Sequence, residues 1–349
     1  MTGCIQKSSI PLFRCDKQVG NGRSHMQIRI NTSKSPQVEA VHTASTWKRM
    51  LSCWQLYVFL ALPVIYILVF SYYPMLGAQI AFKKFNPVDG IWGSPWVGVS
   101  NFTKFFGSYM FERVIINTLR LSLYSLAVSF PLTILLALVI NAIRSLKFKK
   151  IVQMVSYIPH FISTVVMVGM IFQLLSPVTG LYSAVYKLLG FDGIPMDILG
   201  KPDAFPHIYI WSGIWQGIGW GTIIYIAALS GVDPNLHEAA KIDGASRWQR
   251  IRHIDFPSIL PTASIMLILS AGGIMNVGFE KVFLMQNNLN LRLSEVISTY
   301  VYKTGLSGGA RDYSYSSAIG MFNSVINCLM LILVNFLSKH LNKEGASLW

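Results

Sequence analysis

The chain has 349 residues, 52% of them hydrophobic and only 13% charged, with a formal net charge of +14 and a mean hydropathy of +0.47. Soluble domains carry about 25% charged residues, so this composition excludes an ordinary soluble domain and points to a membrane protein. The four cysteines, Cys4, Cys15, Cys53 and Cys328, lack metal-ligand spacing and imply free thiols rather than a disulfide framework.

Residues 1–45 are polar, rich in Lys, Arg, Ser and Thr, and have no apolar core segment. They are not a signal peptide. They read as a disordered cytosolic tail, and their lack of pattern also fits a translation start at Met26. Residues 46–349 form the transmembrane domain. Six apolar stretches are long enough to cross a bilayer, which takes about 20 residues as helix: about Leu51–Tyr73, Val114–Ile140, Ile151–Leu175, Ile208–Leu229, Ile259–Met285 and Tyr315–Leu337. Pro63, Pro131, Pro159 and many glycines fall inside them, as transmembrane helices tolerate. The expected fold class is therefore all-α, a polytopic membrane protein with six transmembrane helices.

Loop charge orients the spans. With both termini cytosolic, the tail to Met50 carries 8 Lys or Arg, the Ala142–Lys150 loop 4, the Gly231–Pro257 loop 4 and the end from Lys339 2. The outer loops carry 4 (Pro74–Arg113), 2 (Ser176–His207) and 3 (Gln286–Ser314). The Ala142–Lys150 loop is decisive, because 4 of its nine residues are basic and none is acidic. Both termini are thus expected to be cytosolic in a plasma membrane. The positive charge follows from topology, and no nucleic-acid partner is needed to explain it. The outer stretch KKFNPVDGIWGSPWVGVSNF, Lys83–Phe102, mixes Pro, Gly and Trp and reads as an ordered loop, either an interfacial aromatic belt or a docking surface for an external partner.

The cytosolic stretch between the fourth and fifth spans is the most informative. Asp233-Pro234 is a helix start, with Asp as cap and Pro at the first helical position. Good helix formers follow to Gly244, which can end a helix in the left-handed region. Ser246 with Gln249 three residues on is a capping-box pattern, opening a second helix that is expected to end before Pro257. Ala239 and Ala240 leave the first helix small-faced, open to close approach by another surface. The second carries Arg247, Arg250 and Arg252 with Trp248, which suits an anionic lipid surface or a protein.

The spacing Glu238-Ala239-Ala240, Gly244, Ile254, Phe256-Pro257 resembles the EAA loop of binding-protein-dependent ABC transporter permeases, with Phe256 where that pattern has Leu. The resemblance extends from about Asn117 to the C-terminus and includes Asn117-Thr118-Leu119. YIPHFIS (Tyr157–Ser163) and the SNF at Ser100–Phe102 look like the carbohydrate-importing branch, similar to maltose and glycerol-phosphate permeases and most of all to polysaccharide or oligosaccharide permeases of Gram-positive bacteria. The resemblance implies an ABC importer type I permease fold with a core over about 114–338 and a coupling loop at 232–257. It implies a second homologous permease, two cytosolic ABC ATPases and an extracytoplasmic substrate-binding protein as partners, and a carbohydrate as cargo. Glu238, Ala239, Ala240, Gly244, Ile254, Phe256 and Pro257 would then form the coupling element seated on the ATPase. The chain has no GxxxxGK[ST] loop, so ATP would be used by the partner and no cofactor is expected on this chain.

Polar groups inside spans ordinarily face a bundle interior. Gln153, His160, Gln173, Gln216, Asn276, Asn323 and Asn327 are such groups. The fourth span, WSGIWQGIGWGTIIY, places Trp211 with Trp215 and Gln216 with Trp220 at i, i+4, and Gly213, Gly217 and Gly221 in a ladder suited to helix packing. Trp215, Gln216, Trp220 and Asn276 are the candidate substrate contacts. Interhelical hydrogen bonding is the alternative for each polar group, and Asn323 with Asn327 fits it well. His160 after Pro159 is expected to satisfy a broken-helix carbonyl, and no metal site is expected. Glu280-Lys281 suggests a gate or a local charge pair, although adjacent helical residues do not face each other. A secondary transporter without an ATPase would need matching repeats with broken helices, and the sequence has none. A membrane enzyme would need a nucleophile–base cluster, a carboxylate pair or a metal set in the spans, and these are missing too.

Overall fold

The computed structural model describes residues 54–307 and 311–341. The expected tail, 1–45, lies outside them, as do Cys4, Cys15 and Cys53. The chain divides into two units, Met1–Ile65 and Tyr66–Trp349. Of the first, the described part, from Trp54 on, is helical. Among the described residues the architecture is all-helical, with one isolated antiparallel bridge, Lys83 to Trp96, in place of any strand.

The helices that position the sites are α1 (Trp54–Ile67), α2 (Ser100–Phe106), α3 (Tyr109–Asn141), α4 (Leu146–Tyr157), α5 (Thr164–Leu175), α6 (Leu181–Leu188), α7 (Ala204–Ser230), α8 (Pro234–Ile242), α9 (Arg247–Gly272), α10 (Phe279–Met285), α11 (Ile297–Tyr302) and α12 (Tyr313–Leu341). Among the described residues four helical stretches are long and apolar enough to cross a membrane: Trp54–Phe82, Tyr109–Asn141, Arg247–Gly272 and Tyr313–Phe336. A fifth arises if the α4 and α5 segments, bent by 97° at a short break, count as one span. The expected fourth span, α7, has 27 residues, about 40 Å of helix at 1.5 Å per residue. Its length suffices, but Trp, Gln and Gly dilute its apolar character, so hydropathy does not single it out.

Two expected spans differ in shape from the sequence reading. Ile151–Leu175 is broken at Ile162, whose extended backbone follows a 3₁₀ turn at Ile158–Phe161, and Ser163 caps the new helix through Val166 N. Pro159 cannot donate to a helix ladder, and a break there removes that conflict. Ile259–Met285 is not one helix either. The helix starts earlier, at Arg247, passes through Pro257 without ending, and stops at Gly272; α10 follows after Gly273–Gly278. A π-helical turn at Ile251–Asp255 lies immediately before Pro257. The widened turn gives the proline ring room and absorbs its missing donor, so the helix opened by Ser246 and the expected fifth span are continuous.

Packing falls in three clusters. α3 and α7 meet along their length, with Ile134, Leu138, Tyr225 and Leu229 joined by Ile259 of α9 at one end. Leu121, Ile210 and Ile214 meet Val282 and Met285 of α10 farther along. Phe105, Val114, Ile297 and Ile319 join α2, α3, α11 and α12. The Asn117-Thr118 pair acts here: Asn117 Nδ2 donates to Arg292 O at 3.0 Å and Glu295 O at 2.9 Å, while Ile297 N donates to Thr118 Oγ1 at 3.1 Å. These buried bonds pin the loop before α11 to α3. The loop from Lys83 to Phe102 is ordered as expected. Lys83 is buried, donates from Nζ to Ile91 O at 2.7 Å, and lies 4.8 Å from the Trp96 ring centroid.

Candidate functional site

The segment from Asp233 is shaped by its own local bonds. Asp233 caps α8 by accepting from Asn235 N at 2.9 Å, with Pro234 at the first helical position. Gly244 takes φ +77°, and Ala245 N returns to Ala240 O at 2.8 Å. That left-handed turn needs glycine. The capping box is complete: Ser246 N donates to Gln249 Oε1 at 2.7 Å, and Gln249 N to Ser246 Oγ at 3.3 Å. No residue of α8 is buried. Glu238, Ala239 and Gly244 are exposed, Ala240 and Ile254 half-buried, and Phe256 and Pro257 exposed. Ile242 at 87% exposure and Trp248 at 65% add bare apolar surface to this capped element.

Behind α8 lies a cavity of about 720 Å³, lined by groups including Arg144, His237, Glu238, Lys241, Arg250 and Asp255. Asp255, 4% exposed, ties its walls together. His237 Nε2 lies 3.4 Å from Asp255 Oδ1, and Asn141 Nδ2 at the end of α3 donates to the same oxygen at 3.4 Å. Lys149 Nζ of α4 then donates to Asn141 Oδ1 at 3.3 Å. Through these contacts α8 is linked to the ends of α3 and α4 and to the π turn of α9.

A second site lies between α3 and α7. A cavity of about 350 Å³ is lined by Ser125, Ser129, Thr133, Tyr209, Gln216 and Lys281. A neighbouring cavity of about 260 Å³ shares Ser125, Ser129 and Tyr209, and adds Ser122, Ser270 and Asn276. Both are rich in hydroxyl groups, and the larger falls within the about 300–1,000 Å³ usual for ligand sites. The hydroxyl stripe on α3 escaped the sequence reading, which looked for amides and aromatics. Ser122, Ser125, Ser129 and Thr133 recur at spacings of three and four, so they share a helix face, and that signal was available.

The four candidate contacts are not brought together. Gln216 reaches the cavity, and its Nε2 donates to Ile162 O at 2.7 Å, at the α4–α5 break. The role expected of His160 thus falls to Gln216. His160 instead stacks on Trp220, with ring centroids 4.5 Å apart and planes at 5°. Trp215 is half exposed and lines neither cavity. Asn276 borders the smaller cavity, and its Oδ1 accepts from Asn323 Nδ2 at 3.2 Å and Asn327 Nδ2 at 3.0 Å. Asn327 Oδ1 in turn accepts from Met275 N at 2.9 Å. Glu280 and Lys281 form no pair: the Lys281 ammonium donates to Tyr209 O at 2.6 Å. Of the glycine ladder, Gly221 lies against Thr133 and Gly217 faces open space. Gly219, between them, packs directly on the Ser156 backbone of α4. Among the described residues no group of three His, Cys, Asp or Glu side chains could hold a metal ion.

Residues 129–343 match the family model described as binding-protein-dependent transport system inner membrane component. The chain belongs to this family. Among relatives of this permease, the polygalacturonan/rhamnogalacturonan transport system permease protein YteP of Bacillus subtilis (strain 168) is 41% identical over 290 residues, 83% of this chain and 89% of the relative. The crystal structure of a bacterial ABC transporter involved in the import of the acidic polysaccharide alginate contains a chain 40% identical, with a TM-score of 0.77, covering 85% of the permease and 99% of that chain. A structure of the bacterial alginate ABC transporter in complex with alginate pentasaccharide-bound periplasmic protein matches at 39% identity and TM-score 0.77, over 86% and 99%. The permease therefore has the ABC importer permease fold, and its family consists of transport subunits rather than enzymes.

Proposed function

We propose that this chain is a permease subunit of an ATP-driven importer for an oligo- or polysaccharide. In this reading six helices span the plasma membrane, with α7 and the bent α4–α5 pair completing the set and both termini cytosolic. Residues 46–349 form the transport domain around a core at 114–338, and 1–45 stand outside it. A second homologous permease closes the path, two ABC ATPases supply the energy and use the ATP, and an external binding protein delivers the sugar. The relatives support the cargo and the delivery: one is a polygalacturonan/rhamnogalacturonan permease and the other an alginate importer, crystallised with its saccharide-bound periplasmic protein.

The observation that carries the coupling role is the exposed, self-capped element from Asp233 to Gln249, with no buried residue in α8. A helix that buries none of its residues and touches its own chain mainly through His237, yet holds its shape by caps on both sides of a left-handed glycine, is suited to seat in a partner. Glu238, Ala239, Ala240 and Gly244 would form the seated surface. Ile254, Phe256 and Pro257 would join it to the fifth span, so that ATPase closure moves α9 as one rod. The path for the sugar follows the α3 hydroxyl face with Gln216 and Asn276, and Trp220 backs the α4–α5 elbow beside it.

Replacing Glu238 with Lys should leave membrane insertion intact and lower the amount of ATPase that co-purifies with the complex, with transport falling in step. Full ATPase retention and normal uptake would remove the coupling assignment. Trp215→Ala, with Trp215 outside both cavities, is expected to leave ATPase docking intact, and unchanged uptake would take Trp215 out of the path.

A further inference from the structure

The cavity between α3 and α7 contains one charge. Lys281 is 9% exposed, its ammonium donates to Tyr209 O at 2.6 Å, and it lies 4.7 Å from the Tyr209 ring centroid. An ammonium has three donors, and the carbonyl takes one. Among the described residues the ion pairs involve Lys104, His237, Arg292 and Lys303, and none involves Lys281. Lysines are rarely this buried without partners. Lys83, at 2% exposure, has two backbone carbonyls for its ammonium, Ile91 O and Trp92 O, whereas Lys281 has one and faces a cavity. A charge within a membrane helix bundle marks a site where it meets a partner.

The protein makes room for this ammonium. A Cβ at Gly213 would lie 3.1 Å from Lys281 Nζ, so the glycine ladder of α7 is open where the charge is placed. The surrounding wall offers neutral donors and acceptors: Ser125, Ser129, Thr133, Tyr209 and Gln216. No acidic side chain lines this cavity or the adjoining one. A neutral sugar passing here would meet the hydroxyls and leave the ammonium uncompensated. A sugar bearing a carboxylate would satisfy both, its hydroxyls on the α3 face and its carboxylate on Lys281.

We propose that Lys281 is a charge-selecting contact in the transport path and that the transported saccharide carries carboxylates, as in an oligomer of uronic acids. This rests on the reading of the chain as a carbohydrate-importer subunit.

The test uses the assembled importer with Lys281→Met and Lys281→Arg. Binding of a tetragalacturonate and of its methyl ester to the purified complex is followed by tryptophan fluorescence, beside cellular uptake of the acid form. The wild-type complex should prefer the acid. The Met variant should lose at least about tenfold in affinity for it and leave the ester unchanged, and Arg should restore most of the loss. Equal loss for acid and ester with the complex intact would make Lys281 a structural residue and overturn the inference. So would loss of the second permease from the purified Met variant, which would locate the counter-charge in that subunit. Equal wild-type affinity for acid and ester would defeat the inference alone. A wild-type importer that takes up no carbohydrate from a panel of acidic and neutral oligosaccharides would defeat the importer reading with it.

Discussion

The capped element at 233–249 and the cavity between α3 and α7 are built in opposite ways. In the first, every defining hydrogen bond joins residues at most five apart: Asp233 to Asn235, Ala245 to Ala240, Ser246 to Gln249. In the second, the partners are 54 and 72 residues apart, Gln216 with Ile162 and Lys281 with Tyr209. The element that is expected to move with an ATPase holds its shape locally, so it can leave one seat and enter another without unfolding. The cavity owes its shape to helices arriving from distant parts of the chain, so any change in their packing changes what it binds.

Substitutions at five positions should sharpen this contrast. The largest effect is expected at Gly219, where a side chain would run into the Ser156 backbone. Gly219→Val forces α4 and α7 apart, costs more than about 3 kcal/mol, and should remove folded permease from membranes, as read by immunoblot and fluorescence-detected gel filtration. Gly217→Ala, two residues away with nothing within 4 Å, should leave both readouts unchanged. A tolerated Gly219→Val would mean that α7 does not hold the elbow. Next is Gly244→Val. The φ of +77° makes a β-branched residue there cost about 1–3 kcal/mol of local strain. Membrane levels should persist while ATPase co-purification and transport fall together. Third, Gln216→Leu orphans the Ile162 carbonyl, for about 1.7 kcal/mol at the upper end of interhelical bonds in membranes. A thermal melt of the detergent-solubilised complex should drop by a few degrees with ATPase association unaffected. The smallest is Ser246→Ala, which loses one half of the capping box for about 1 kcal/mol. ATPase co-purification should weaken less than in Gly244→Val, and the melt should stay where it is.

The two regions also differ in how far they could be read beforehand. Asp233, Pro234, Gly244, Ser246 and Gln249 act through neighbours a few positions away, so their types and spacing alone predicted both helices and the turn between them. Only the far end was misjudged, because Pro257 ordinarily stops a helix and the π turn that lets α9 continue has no composition signal. In the membrane part, Gln216, Asn276, Asn323 and Asn327 do form hydrogen bonds between helices, but Asn276 and Gln173 are exposed rather than turned to a bundle interior, and the partners could not be read. Gln216 rather than His160 reaches the broken carbonyl, since which face of α7 meets the elbow depends on the close approach at Gly219. Asn276 was grouped with the substrate contacts and is bonded to Asn323 and Asn327 of α12, a pairing set by where α9 ends at Gly272.

By itself the sequence determined the membrane class, the capped element at 233–249 and its family spacing, because hydropathy, caps and turns are local physics. Tertiary structure alone decided that Lys281 points at a serine-lined cavity, that α7 supports the α4–α5 elbow, and that Asp255 links α8 to the ends of α3 and α4. Those outcomes depend on which helix faces meet. In lipid that choice comes from close packing and a few buried hydrogen bonds between distant residues, and no local pattern encodes it.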